Sequence, residues 1–222
     1  MKRDKNVLIA MPAYNESRVI GRVIEGIKKE GFEDILLVDD CSTDDTSVIA
    51  LKNGAKVVRH PINRGPGAAT ATAIEYARRK DYDFLLLLDS DGQHDPKEIE
   101  KLLMVESFVD VVIGSRYINR KNMPIIRRIA NSVGNFITFI FFGLYIRDSQ
   151  SGFKRLSRKA INNIKLRFDG FEFCSEMVGE IRRHRLSWKE VPINVIYTKH
   201  SQSKGQSIIN GFKMVVRFIL RH

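Results

Sequence analysis

The strongest constraint in this sequence is a recurring unit: a short apolar run, a polar cluster at its end, then a stretch with helical periodicity. The runs are Val7–Met11, Ile35–Val38, Lys56–Arg59, Phe84–Leu88 and Val109–Ile113. They read mostly as strands buried on both faces, which is the habit of parallel strands. Helical patterns at Arg18–Lys29, Asp45–Asn53, Ala68–Arg79 and Pro96–Glu106 separate them. Asp95 opens the last as N-cap, with Pro96 at the first helical position. Strand–helix repetition of this kind predicts an α/β, Rossmann-like domain with a mostly parallel central sheet and flanking helices. After Tyr117 the pattern changes to a basic segment, an apolar helix-like stretch Ile125–Ile146, a strand Phe153–Leu156, a helix Glu172–His184 and a final strand Lys189–Tyr197.

At 222 residues, 43% hydrophobic and 28% charged, the chain has the balance of one globular domain with a sizeable core. Lys and Arg number 37 against 26 Asp and Glu, and the resulting +11 favours a polyanionic partner: nucleic acid, anionic lipid or a phosphorylated substrate. Cys41 and Cys174 form neither a disulfide ladder nor a metal-spaced cluster, so each is expected to be a small buried residue in a reducing cytosol. Val7–Met11 is too short for a signal-peptide core, and Phe136–Ile146 falls well below the ~20 residues of a spanning helix, so membrane contact is expected from the surface.

In open α/β sheets ligands sit beyond the carboxyl ends of the strands. The first strand ends in Pro12-Ala13-Tyr14-Asn15-Glu16 and the second in Asp39-Asp40-Cys41-Ser42-Thr43-Asp44. A carboxylate there can accept from a nucleobase N–H or ribose hydroxyls, and Tyr14 can cover a base; equally, Asn15, Ser17 and Asp44 can simply cap the following helices. The fourth strand ends in Asp89-Ser90-Asp91-Gly92-Gln93-His94-Asp95. Two carboxylates at i and i+2 leaving a buried strand repel each other unless a cation intervenes. Mg²⁺ or Mn²⁺, held by carboxylate and diphosphate oxygens, suits that chemistry; the bland alternative is a solvated turn. His94 can be a ligand or a partner for the acids.

Taken in order, Pro12-Ala13-Tyr14-Asn15-Glu16, Asp39-Asp40, Asn63-Arg64-Gly65, Asp89-Ser90-Asp91-Gly92-Gln93 and Gly114-Ser115-Arg116-Tyr117 resemble glycosyltransferase family 2, and within it the polyprenyl-phosphate glycosyltransferases. The resemblance implies a GT-A fold over residues 1–206, with a nucleotide-sugar half at 1–117, an acceptor half at 118–206 and an amphipathic basic C-terminal helix at 207–222. It implies that Pro12, Tyr14, Glu16 and Asp39 hold the nucleoside, with Asp89, Ser90 and Lys204 on the nucleotide-sugar. Asp89, Asp91 and Gln93 would ligate the metal, and Arg116 would lie near the phosphates or the acceptor. Asp148-Ser149-Gln150-Ser151-Gly152-Phe153-Lys154 is similar to the family's acceptor-side segment. Glu176 falls where the family keeps an acid, and near Cys174 its members often carry Asp or Gln.

The implied activity is an inverting transfer of a sugar from a UDP-, GDP- or dTDP-sugar to a polyprenyl phosphate, at the cytoplasmic face of a membrane. Asp91, Arg116 and Glu176 are the candidate catalytic residues, with Glu172 and Glu176 as bases should the acceptor be a hydroxyl; on an ordinary amphipathic helix both would be plain exposed charges. Arg127 and Arg128 before Phe136–Leu144, and Lys213, Arg217 and Arg221 among Ile208–Ile219, read as interfacial segments, with core packing or a homodimer as the alternative. Three competing functions stay open: a soluble transferase acting on a polysaccharide, glycolipid or protein; a nucleic-acid-binding module; and a sugar nucleotidyltransferase. The second leaves the Asp89/Asp91 cluster unexplained, and the third lacks its Gly-rich loop after the first strand.

Overall fold

The computed structural model describes residues 6–116, 132, 135–136 and 138–196. Within them the chain runs β1 (Val7–Ala13), α1 (Ile20–Lys29), β2 (Ile35–Asp39), α2 (Thr46–Lys52), β3 (Lys56–Arg59), α3 (Pro66–Arg79) and β4 (Phe84–Leu87). A 3₁₀ turn (Pro96–Glu98) then leads into α4 (Ile99–Leu103) and β5 (Val111–Ser115). The second half adds β6 (Lys154–Ser157), α5 (Arg158–Asn163), α6 (Phe173–Arg183) and β7 (Trp188–Pro192). Residues 138–142 are also helical.

The strands form one sheet in the order β3-β2-β1-β4-β6-β5-β7. Pairing is parallel except for β6, which lies antiparallel to both β4 and β5. The reversal matters for function. Leu87 pairs with Lys154, so the residues just before β6 stand beside those just after β4 at the carboxyl edge of the parallel strands.

Side chains alternate across the sheet and feed two cores. One face joins Leu8, Ala10, Leu36, Val38, Leu85 and Leu87 to Ala73 and Ala77 of α3 and Met177 and Ile181 of α6. The other joins Ile9, Met11, Leu37, Leu86 and Leu88 to Ile20, Ile24 and Ile27 of α1 and to Ile99 and Leu102 of α4. Covering both faces is what requires the continuous apolar runs seen in the sequence.

Some expected boundaries move. The helix expected at Pro96–Glu106 divides into the 3₁₀ turn, capped where the Asp95 carboxylate accepts from Lys97 N at 3.0 Å, and the short α4. The strand expected at Lys189–Tyr197 is regular only to Pro192, after which Val195 makes an isolated bridge to His94. Helix α5 was absent from the sequence reading; Ser157 caps it by accepting from Ala160 N. Of the apolar stretch Ile125–Ile146, the described residues up to 142 are helical and 143–146 are not. Lys204 and the segment 207–222 lie outside the described residues. Among the described residues no helix is long and apolar enough to cross a membrane.

Candidate active site

Four strand ends and the turn before β6 meet at one edge of the sheet. Two of those ends are stitched together by side chains acting on backbone. At the end of β1 Asn15 takes the left-handed conformation, with φ of 55°, which Asn tolerates better than most residues. Its N–H donates to Ser42 Oγ at 2.9 Å and its side-chain oxygen accepts from Thr43 N at 2.8 Å. Glu16 N donates to Thr46 Oγ1, and Ser17 N donates to the Asp44 carboxylate. Burial raises the Asp44 pKa, but the hydrogen bonds from Thr46 and Ser17 outweigh it and bring the carboxyl down to about 2. The Tyr14-Asn15-Glu16 loop is thereby fixed against the loop after β2, with Tyr14 exposed and Glu16 buried.

The acid pair after β2 divides its labour. Asp40 accepts from Arg64 N and Gly65 N and pairs with His60 Nδ1 at 2.7 Å, so it orders the Asn63-Arg64-Gly65 turn. Asp39, expected on the nucleoside, is wholly buried. Its oxygens accept from Ser42 N at 2.9 Å and from Ser47 Oγ, and Arg59 Nε stands 3.6 Å away. Beside it, Tyr14 and the half-exposed Arg59 reach the surface at this end of the sheet.

Beyond β4, Ser90 Oγ donates to Pro12 O at 2.8 Å, tying this end to β1. Asp91 accepts from its own turn, from Gln93 N at 2.9 Å and from the Gln93 amide, a turn that Gly92 permits with φ of 73°. The Asp89 side chain is 51% exposed, and its Oδ2 lies 3.0 Å from His94 Nε2. Gly152 packs against this carboxylate so closely that a Cβ there would overlap it. The electrostatics of the two acids diverge. Burial opposes the charge of Asp89, yet the bond from His94 and the fields of His94, Arg116 and Lys154 hold its carboxyl below the usual range. Asp91 is pushed up, first by burial and then by the charge of Asp89. Two carboxylates in this relation can accept a cation, and their oxygens suit a hard one. Among the described residues no three His, Cys, Asp or Glu side chains are placed to hold a metal ion together, so remaining ligands would come from Gln93 and from substrate.

On the other side of the edge Arg116 is held bidentately by Asp148, Nε to Oδ2 at 2.9 Å and Nη2 to Oδ1 at 2.7 Å. Asp148 is fully buried, and its own N–H and that of Arg147 donate to Glu190 on β7. Asp148 escapes a reading of the sequence as the partner of Arg116, because 32 residues separate the two and only the fold joins them. Lys154 is buried and donates to Ser151 O. Glu176 turns to the chain: its carboxylate accepts from Arg167 N and Phe168 N at 2.9–3.0 Å, and Glu180 accepts from Lys165 N. Together these two carboxylates clamp residues 165–168 against α6. Glu172 is buried against Gly170. Cys174 is buried, and burial pushes its thiol up.

Residues 8–165 match the model of the glycosyl transferase family 2. The chain belongs to that family. An uncharacterised protein of Methanocaldococcus jannaschii is 41% identical over 222 residues, covering 97% of this chain and 91% of its own. A UDP-N-acetylglucosamine–dolichyl-phosphate N-acetylglucosaminyltransferase of Methanococcus voltae is 33% identical over 241 residues, covering 98% and 96%. The crystal structure of glucosyl-3-phosphoglycerate synthase from Mycobacterium tuberculosis, in complex with Mn²⁺ and UDP-glucose, superposes with a TM-score of 0.71 at 18% identity, over 97% of this chain and 77% of that one. That likeness establishes the GT-A fold. This family 2 chain is a glycosyltransferase, and its relatives include enzymes that act on polyprenyl phosphates.

Proposed function

We propose that this glycosyltransferase moves a sugar from a nucleotide-sugar to a polyprenyl phosphate, with inversion at the anomeric carbon, while seated on a membrane surface. The observation that supports it most is the acid pair after β4: Asp89 open to the cleft, Asp91 raised by burial and by its neighbour's charge, and the cations Arg116 and Lys154 close enough to act on Asp89. Asp89, Asp91 and Gln93 would hold Mg²⁺ or Mn²⁺, which when bound neutralises charge on the departing diphosphate. The protein's own contribution is preorganisation. Asp148 fixes the Arg116 guanidinium before substrate arrives, and a fixed cation in a partly closed cleft stabilises developing phosphate charge better than water does. Tyr14 and Glu16, held by the Asn15 and Thr46 contacts, take the nucleoside side, and Ser90 holds the β4 turn to β1.

The acceptor side supports a phosphate. Glu176 is committed to backbone N–H groups, and a lipid phosphate, unlike a hydroxyl, arrives already ionised and needs no base. The neighbouring surface supports a lipid. Asn135 accepts from Ser149 Oγ at 2.7 Å and Thr138 bonds Ser175, which anchors one face of the helical residues, while Phe136 and Ile140, each 62% exposed, and Phe139, Phe141 and Tyr145 point outward. An apolar face held at the rim of a cleft suits the headgroup boundary. The assay combines the enzyme, Mn²⁺, a radiolabelled UDP-sugar and a polyprenyl phosphate in vesicles. A labelled lipid is expected; label found only on a soluble glycan or protein would refute the lipid acceptor. Omission of divalent metal with chelator present is expected to abolish transfer, and full transfer without it would refute the metal assignment.

A further inference from the structure

Among the described residues, His94 is the side chain that bonds the open carboxylate of Asp89, and it is itself buried, at 4% exposure. An ionised carboxylate accepts only, so the contact from Nε2 to Oδ2 at 3.0 Å requires the ring proton on Nε2. Nδ1 is buried and has no hydrogen-bond partner among the described residues. The ring therefore makes a single polar contact, and that contact is Asp89. For packing alone an apolar side chain would serve better here, because a buried ring nitrogen left unmatched costs free energy.

The surroundings hold the ring in place. Phe153 lies against it, with ring centroids 5.0 Å apart at 36°. The backbone of His94 bridges to Val195, and Ile196 N donates to Gln93 O at 2.8 Å, so the segment that follows β7 pins the turn. On the far side of the carboxylate, Oδ1 occupies space at Gly152 that a Cβ would otherwise fill. Asp89 thus has a hydrogen-bond donor on Oδ2 and Gly152 beside Oδ1, and its side chain is half exposed.

We propose that His94 is a positioning residue that fixes the Asp89 carboxylate for a divalent cation by donating from Nε2. The inference rests on the metal reading given under Proposed function. Partners that orient a metal-ligating group typically contribute 10–100-fold in metal affinity. The test measures Mn²⁺ binding to the full chain with UDP present, from the free-ion paramagnetic resonance signal, alongside the melting temperature of the metal-free protein. H94F keeps a ring against Phe153 and removes the donor; it is expected to weaken Mn²⁺ roughly 10–100-fold while the metal-free melting temperature moves by no more than about 3 °C. H94Q, whose amide reaches about as far as Nε2, is expected to restore affinity to within roughly threefold of wild type. Unchanged affinity in H94F overturns the proposal, as does H94Q binding no better than H94F while folded. If H94F does not fold, H94M takes its place against H94Q under the same criteria. A wild-type chain that binds no Mn²⁺ defeats the metal reading itself, whereas binding in wild type and H94F alike defeats only the role of His94.

Discussion

The strands β1, β2 and β4 and the strand β6 lie in one sheet but are built from opposite materials. The first three are apolar through their length and keep polar residues for their ends. All four residues of β6 are buried, yet they read Lys154, Arg155, Leu156 and Ser157. In the first half the fold is held by burial, and the strand-end loops by short bonds from side chains to backbone. In the second half charged groups go into the interior and find partners there: Lys154 in Ser151 O and Asp148 in Arg116. The lesson is that the second half has traded packing for polar specification, and its stability should be concentrated in a few side chains.

Arg155 gives the sharpest way to break that contrast. Its guanidinium donates to Val109 O at 2.6 Å, Val105 O at 2.8 Å and Leu102 O at 3.3 Å, with Phe84 4.8 Å below. Burial lowers its pKa to about 10, which still leaves it charged at neutral pH. Replacement by Leu orphans those carbonyls, and Arg155→Leu should cost about 3–5 kcal/mol in urea unfolding. A loss below about 1 kcal/mol would show that the acceptor half is held by its apolar contacts after all.

That difference also marks what could be read in the sequence. The apolar runs located β1, β2, β3 and β4, and looking at their ends found Tyr14, Asp39, Asp89 and Asp91 together at one edge. It did not find that β6 runs antiparallel between β4 and β5, which brings Gly152 to Asp89. Nor did it show that Asp39 accepts from Ser42 and Ser47 or that Glu176 accepts from Arg167 N and Phe168 N. Periodicity reports which face a residue buries; it is silent about pairing partners far apart in the chain, and a buried lysine and arginine side by side imitate a surface strand. Helix α5 escaped for a related reason, since Arg158–Asn163 is short and carries little apolar pattern.

A smaller effect tests the nucleotide half. Asp44 holds Ser17 N and the Thr46 N–H and hydroxyl, and its folded pKa of about 2 lies below the ordinary 3.8. A folded value below the unfolded one stabilises above about pH 4, and the stabilisation fades as pH falls through 3.8 toward 2. Asp44→Asn should therefore be about 1–2 kcal/mol less stable than wild type at neutral pH, with the gap narrowing as urea titrations move down to about pH 3. A gap independent of pH would mean that the stitching needs the shape of the side chain and not its charge.

The smallest effect is expected where the acceptor half departs most from its family. Cys174 opens α6 at a position where the resemblance leads one to expect an acid or amide, and the fields of Lys154, Asp89 and Arg116 reach it. A base is needed there only if the acceptor must lose a proton. The thiol is a poor one: burial above all pushes it up, so it stays protonated and behaves as a small apolar side chain. Cys174→Ala should then lower stability by about 1 kcal/mol and change turnover with a polyprenyl phosphate by no more than about threefold. Loss of more than about tenfold in turnover with the fold intact would put the thiol in the reaction and reopen the choice of a hydroxyl acceptor. Near-silence at Cys174, set beside a large penalty at Arg155, would show that the buried polar groups of this half are placed for structure and for the cation-binding edge, leaving proton removal to no residue because the acceptor arrives without a proton to lose.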